Sequence, residues 1–243
     1  QDSPDTLNWG YGTRFFFAPD IDMGSPVDLR WFVKQCHRRG IRVLMDVVMN
    51  HARQCPLERL AGRRYFIDPA QEPGRGDDYG GQMFGYRQPV DGRHWARLLH
   101  LDVARFWIDE YHVDGFRIDE FKGIDNWEFV QQFRDAAWEH FRARFPDRPF
   151  LVIAEDSWAR SVTTRDSPGN PGGRRVVDAV WDFTYRWDAR HLLLGLPLAQ
   201  WGQPPLRQHI ATVVSGRQRG SDGQPQPDGF DDLARSVGYI TSH

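Results

Sequence analysis

Cysteine is scarce. Cys36 and Cys55 are the only two in 243 residues, one on the apolar stripe of a helical pattern and one in a loop. That number excludes a disulfide framework and argues against a zinc site. It fits a reducing compartment, and the cytoplasm is the expected location. Lysine is almost missing too, at Lys34 and Lys122 alone, so arginine carries nearly all the positive charge. No charge of one sign dominates: the formal net charge is -2. Neither nucleic acid nor an anionic membrane is therefore expected as partner. No apolar run reaches the length of a membrane span, and the N-terminus has no signal-peptide pattern. No GxGxxG separates a strand from a helix, which speaks against a dinucleotide fold. No HxH occurs, and His51 and His243 alone are too few for a metal-dependent hydrolase.

What remains is an ordinary globular composition, 40% hydrophobic and 26% charged, with material for a sizeable core. Aromatic residues reach 14%, with ten tryptophans. Flat rings stack on sugar faces, and they also fill cores. Along the chain, strand patterns alternate with helix patterns. Residues 9–19, rich in Gly and aromatics, predict a short strand feeding a loop. Ser25 as N-cap, Pro26 at the first position and Gly40 at the end predict a helix buried through Leu29, Phe32, Val33 and Cys36. Residues 41–48 read as an apolar parallel strand covered on both faces, broken by Asp46. Residues 52–92 are too long for a connection and predict an inserted loop or small subdomain.

A helix over 94–112 is expected to bury Leu98, Leu101, Ala104, Ile108 and Tyr111. The next starts near Asp125, with Glu128 at capping-box spacing, and stops at Pro146. Further strands are expected at 113–119, 150–155, 179–183 and 237–241, with some helix over 190–198. Alternating β and α elements predict a parallel sheet, either doubly wound or a (β/α)8 barrel. Asp46, Asp119, Glu155 and His243 lie at or near C-terminal strand ends, where a barrel carries its active site.

The stretch Gly115-Phe116-Arg117-Ile118-Asp119 puts Gly115, Arg117 and Asp119 on one face of a strand. A cation two residues away favours an ionised Asp119, as a nucleophile needs. Glu155 follows Leu151 and Ile153 on its own face and has Asp156 beside it. An apolar setting and a nearby anion both raise a carboxyl pKa, which suits a general acid. Such a pair is what glycoside hydrolysis requires.

Four stretches, in order, resemble the conserved regions of the α-amylase superfamily, glycoside hydrolase family 13. They are Asp46-Val47-Val48-Met49-Asn50-His51, Gly115-Phe116-Arg117-Ile118-Asp119, Ile153-Ala154-Glu155-Asp156 and Tyr239-Ile240-Thr241-Ser242-His243. The resemblance spans nearly the whole chain. It implies a (β/α)8 TIM barrel, incomplete at both ends and covering roughly the second to seventh strands, over residues 1–243, with 52–92 inserted after the third strand. It implies a retaining enzyme acting on α-glucan: glycogen, starch or maltooligosaccharide. Asp119 matches the nucleophile and Glu155 the general acid/base. Arg117 matches the residue that orients the nucleophile, and Asp46 its support. Tyr11, in Trp9-Gly10-Tyr11, matches an aromatic platform under the sugar. His51 and His243 match histidines that bind sugar hydroxyls.

Trp9-Gly10-Tyr11, Phe17-Ala18-Pro19-Asp20, Tyr111-His112-Val113-Asp114 and Ala154-Glu155-Asp156-Ser157 are most similar to the glycogen branching enzymes. Branching transfer is thus the expected reaction, with amylase-type hydrolysis as the alternative. Lys122, three residues after Asp119, is more similar to the hydrolysing amylases and is expected to touch substrate. A non-catalytic carbohydrate-binding barrel is the reading of another class, and retention of Asp119, Glu155 and Arg117 argues against it. The chemistry needs no cofactor. Some amylases of the family hold structural calcium near the position of Asn50, where Asp77 and Asp78 would be its neighbours. The family's third catalytic carboxylate follows the histidine matched by His243, where this chain ends. Both ends look cut, which predicts a piece of a longer protein and poor activity for the 243-residue chain.

Overall fold

The structure, a computed structural model, describes residues 9–75, 77–158, 160–195 and 233–239. The chain forms two compact units, residues 1–152 and 153–243. In chain order the first unit holds α1 (Pro26–His37), β1 (Leu44–Val48), β2 (His51–Ala52), α2 (Leu57–Ala61), β3 (Asp77–Asp78), β4 (Gly81–Met83), α3 (Trp95–Tyr111), β5 (Gly115–Asp119), α4 (Phe121–Ile124) and α5 (Trp127–Arg144).

Ser25 caps α1 as its sequence demands. Its hydroxyl accepts from Asp28 N–H and the Asp28 carboxylate accepts from Ser25 N–H, a reciprocal box with Pro26 at the first position. The cap of α5 is Asn126 rather than Asp125, and its Oδ1 accepts from Phe129 N–H at 2.9 Å. Asp125 itself has a φ of 47° and cannot serve as an extended N-cap.

Strands β1 and β5 are parallel, with Asp46 opposite Arg117 and Val48 opposite Asp119. All five residues of β5 are buried. Gly115 is required there: a Cβ on it would lie 2.1 Å from the Leu151 carbonyl oxygen. Leu151 N–H in turn donates to the Asp114 carbonyl at 3.2 Å. At the opposite end of the strand pair, the buried Asp114 accepts from Val43 N–H and pairs with His37 and Arg148. That cluster ties the entries of both strands to α1, at the end of the pair opposite Val48 and Asp119.

Helices α3 and α5 pack together over these strands. The buried face of α3 is Ala96, His100, Val103, Ala104, Trp107, Ile108 and Tyr111. Leu98, expected inside, is 46% exposed. Aromatic contacts set the rotation of the helix instead. His100 meets Phe16, Phe84 and Phe129 edge-on, and the Trp107 Nε1–H donates to the Phe16 carbonyl at 3.0 Å. Phe32 is likewise 52% exposed rather than buried on α1. Ile41 is also exposed, so the 41–48 stretch is not covered on both faces. Among the described residues β1 has a strand neighbour on one edge only. Residues 9–19 form turns and bends with a single β-bridge at Phe15, rather than the expected short strand.

The inserted segment folds as a small antiparallel sheet in the order β2-β4-β3. Asp78 faces Gly81, so Tyr79 and Gly80 form a two-residue hairpin turn, with φ values of 54° and 81°.

The second unit carries β6 (Leu151–Ala154), which begins within the first, then β7 (Ala179–Asp182), α6 (Phe183–Leu194) and β8 (Ser236–Gly238). β6 pairs with β7 and β7 with β8, all parallel. The helix begins at residue 183, seven residues before the expected 190, because Asp182 at the strand end doubles as its N-cap. No helix among the described residues is long and apolar enough to cross a membrane.

Candidate active site

In the first unit, alternation along β5 turns Arg117 and Asp119 to one face, and the register with β1 places Asp46 beside Arg117. Arg117 Nη1 donates to Asp46 Oδ1 at 2.8 Å and Oδ2 at 2.9 Å, and to Asp119 Oδ1 at 2.8 Å. The Tyr11 hydroxyl completes the group, 3.4 Å from both Arg117 Nη1 and Asp46 Oδ2. The Arg117 guanidinium carbon lies 5.6 Å from the Tyr11 ring centroid. Two carboxylates from different strands thus share one cation, and the Tyr11 phenol meets that cation and Asp46. Asp119 is 8% exposed and Arg117 7%, so the pair sits in a largely desolvated setting where charge-assisted hydrogen bonds are strong.

His51 follows the end of β1 and is 4% exposed. Its Nδ1 lies 2.9 Å from Asn50 Oδ1, and its ring also bonds the Tyr11 backbone carbonyl. Burial, aided by the Arg53 charge, lowers its pKa against the opposing pull of Tyr11 and Asp78, so the imidazole is neutral at neutral pH. The Asn50 oxygen is occupied by His51. Among the described residues no group of three or more His, Cys, Asp or Glu is arranged to hold a metal ion. Lys122 lies on the short α4 directly after Asp119 and is half-buried.

Two residues that sequence reasoning missed stand at this edge of the group. Tyr79, from the hairpin turn, stacks on His51 with ring centroids 6.2 Å apart and planes 24° apart. Its phenol bonds the Glu120 carboxylate, and burial together with the charges of Glu120, Asp78 and Asp119 raises its pKa. Glu120 follows Asp119 with a φ of 38°. The signal for Tyr79 was its Asp78-Tyr79-Gly80-Gly81 setting, a turn pattern with a tyrosine where Asn, Asp or Gly is usual.

In the second unit, Glu155 follows β6 directly. Asp156 is fully buried, and Arg160 forks onto it through Nε at 2.7 Å and Nη2 at 2.9 Å. The anion expected to load charge beside Glu155 is thus compensated by an arginine four residues on. The Arg160 guanidinium also lies over the exposed Trp158 ring at 4.8 Å. Tyr239 is the described residue of the fourth conserved stretch. Its pKa is pushed up to about 12 by burial, lowered in part by Arg186 and raised further by the charge of Glu155. His243 lies outside the described residues.

The chain matches no protein-family profile. It is similar over most of its length to curated bacterial proteins named 1,4-α-glucan branching enzyme GlgB. One from Methylococcus capsulatus is 31% identical over 228 residues, covering 85% of this chain and 28% of that protein. One from Marinobacter nauticus is 30% identical over 208 residues, covering 76% and 31%. One from Methylobacillus flagellatus is 38% identical over 121 residues, covering 49% and 16%. The chain thus spans less than a third of the length of these relatives. Among solved structures it resembles a mutant pullulanase from Paenibacillus barengoltzii bound to maltotriose, with TM-score 0.65 and 18% identity, covering 96% of this chain and 36% of that one. It also resembles a noncanonic maltogenic α-amylase from Thermotoga neapolitana, with TM-score 0.61 and 23% identity, covering 92% and 45%. These structural likenesses show the fold, that of a (β/α)8 barrel represented in part.

Proposed function

Because the chain belongs to the α-amylase superfamily, glycoside hydrolase family 13, we propose that it carries active-centre residues of a retaining enzyme acting on α-1,4-glucan, and that the reaction is branching transfer. The observation that carries this reading is the shared arginine. Arg117 Nη1 holds Asp119 on one side and Asp46 on the other, each at 2.8 Å. A carboxylate fixed this way cannot rotate away from an incoming anomeric carbon.

In this mechanism an Asp119 oxygen attacks C1 of the glucosyl unit as the C1–O4 bond breaks, and Glu155 gives its proton to the departing O4. The covalent glycosyl-enzyme then meets an acceptor. Glu155 takes the proton of a 6-hydroxyl on a second glucan segment, whose oxygen forms the new bond to C1 and releases Asp119. Water in the acceptor's place gives hydrolysis. Tyr11 supplies a ring under the sugar, His51 and His243 bind its hydroxyls, and Lys122 touches substrate. No cofactor enters this chemistry. A 1,4-α-glucan as substrate is supported by the names of the relatives, and a cytoplasmic setting by the two free cysteines.

Product analysis on amylose tests the reading. New α-1,6 linkages without new reducing ends are expected; reducing ends without branches would turn the assignment to an amylase-type hydrolase. A 5-fluoro-α-glucosyl fluoride should label Asp119, read by peptide mass spectrometry, and no label on that peptide would remove the nucleophile assignment.

A further inference from the structure

The side of the Asp119 group formed by the inserted hairpin presents Tyr79 to solvent. His51 beneath it is 4% exposed, and its ring meets Asn50, the Tyr11 carbonyl and the Tyr79 ring. Tyr79 is 39% exposed. A Cβ on Gly123 would lie 3.0 Å from Tyr79 Cε2, so the ring also rests on the segment that follows Asp119. Tyr79 occupies the first central position of a two-residue hairpin turn at a φ of 54°, followed by Gly80 at 81°. Both angles are what a type I′ turn needs, and Asn, Asp or Gly satisfies the first position with least strain. Its hydrogen-bond partner Glu120 is also left-handed, with a φ of 38°. Two strained residues from different elements therefore meet within reach of Asp119's charge. Strain of this kind persists where the surroundings over-determine it, and it clusters at ligand sites.

We propose that Tyr79 is a sugar-contacting residue of this site: its exposed ring surface stacks on a glucose unit of the bound chain, while His51 beneath and Glu120 at the phenol hold it in place. The inference rests on the glucan reading above and adds a wall that the four conserved stretches do not contain. Tyr79 is a poor choice for the turn and a good one for a pyranose face, so stability and binding should respond in opposite directions.

The test is Tyr79→Asn beside Tyr79→Phe, with maltoheptaose binding followed by calorimetric titration and unfolding by scanning calorimetry. Tyr79→Asn installs the favoured Asn-Gly turn. It should keep or raise Tm while weakening maltoheptaose binding about tenfold. Tyr79→Phe keeps the ring and should bind within about threefold of the parent chain. Unchanged binding in Tyr79→Asn overturns the inference. So does a fall in Tm that accompanies the binding loss, since Tyr79 would then be a structural residue. No maltoheptaose binding by the unsubstituted chain would overturn the glucan reading and this inference with it, an outcome distinct from both.

Discussion

Asp46 and Arg117 are register partners on adjacent parallel strands, and one guanidinium nitrogen reaches both Asp46 oxygens while it holds Asp119. The arrangement depends on a planar donor group fixed between two acceptors. An ammonium on a flexible stem cannot reproduce it. Arg117→Lys should therefore fold and lower kcat on amylose about 10²–10³-fold. Wild-type kcat in that variant would show that Arg117 does not orient Asp119.

Gly115 marks a close backbone approach. Its replacement by Ala sets a Cβ 2.1 Å from the Leu151 carbonyl oxygen, which the strands can relieve only by moving apart. Gly115→Ala should destabilise the fold by about 2–3 kcal/mol. In urea the midpoint should fall with an unchanged m-value; an unshifted midpoint would contradict the packing described.

His100 gives the fold an acid limit. Complete burial lowers its pKa to about 4, opposed only by its bond to the Ala96 carbonyl. The unfolded chain's histidine titrates near the ordinary 6.5. Between these values the unfolded state binds more protons, so stability is full above pH 6.5 and drains away as pH falls toward 4. The loss is on the order of 3 kcal/mol. His100→Gln should flatten the pH dependence of unfolding across this window. An equally steep dependence in the variant would assign it to other groups.

Asp156 and Arg160 form a buried fork next to Glu155. Arg160→Met leaves a fully buried carboxylate without its cation and removes the support under Trp158. A destabilisation of about 2–3 kcal/mol is expected, discounted for the partial exposure of Arg160. Thermal unfolding measures it, and Asp156→Asn combined with Arg160→Met should recover part of the loss.

Local rules made part of this legible in advance. Period-two alternation alone put Arg117 and Asp119 on one face, and Ser25-Pro26 fixed where α1 begins. The contact of Asp46 with Arg117 needed strand register, which no spacing in the sequence states. Leu98 and Phe32 look like core by helical period, yet aromatic contacts of His100 and Trp107 settle the turn of α3, and no described element covers Phe32. The partner of Asp156 was readable, since Arg160 stands four residues on, but only the structure shows that the carboxylate is sealed. Tyr79 was hidden because its importance lies in a backbone angle and a stack on His51, 28 residues earlier.

The hydrogen bond from Trp107 Nε1 to the Phe16 carbonyl also gives the molecule an optical gauge. Trp107 is fully buried, whereas Trp9, Trp31, Trp138, Trp158 and Trp187 are open to solvent. Acrylamide should silence those five first and leave a blue-shifted emission from the interior. Phe16 belongs to the same loop as Tyr11, so the wavelength of that residual light reports whether the loop carrying Tyr11 is seated on α3.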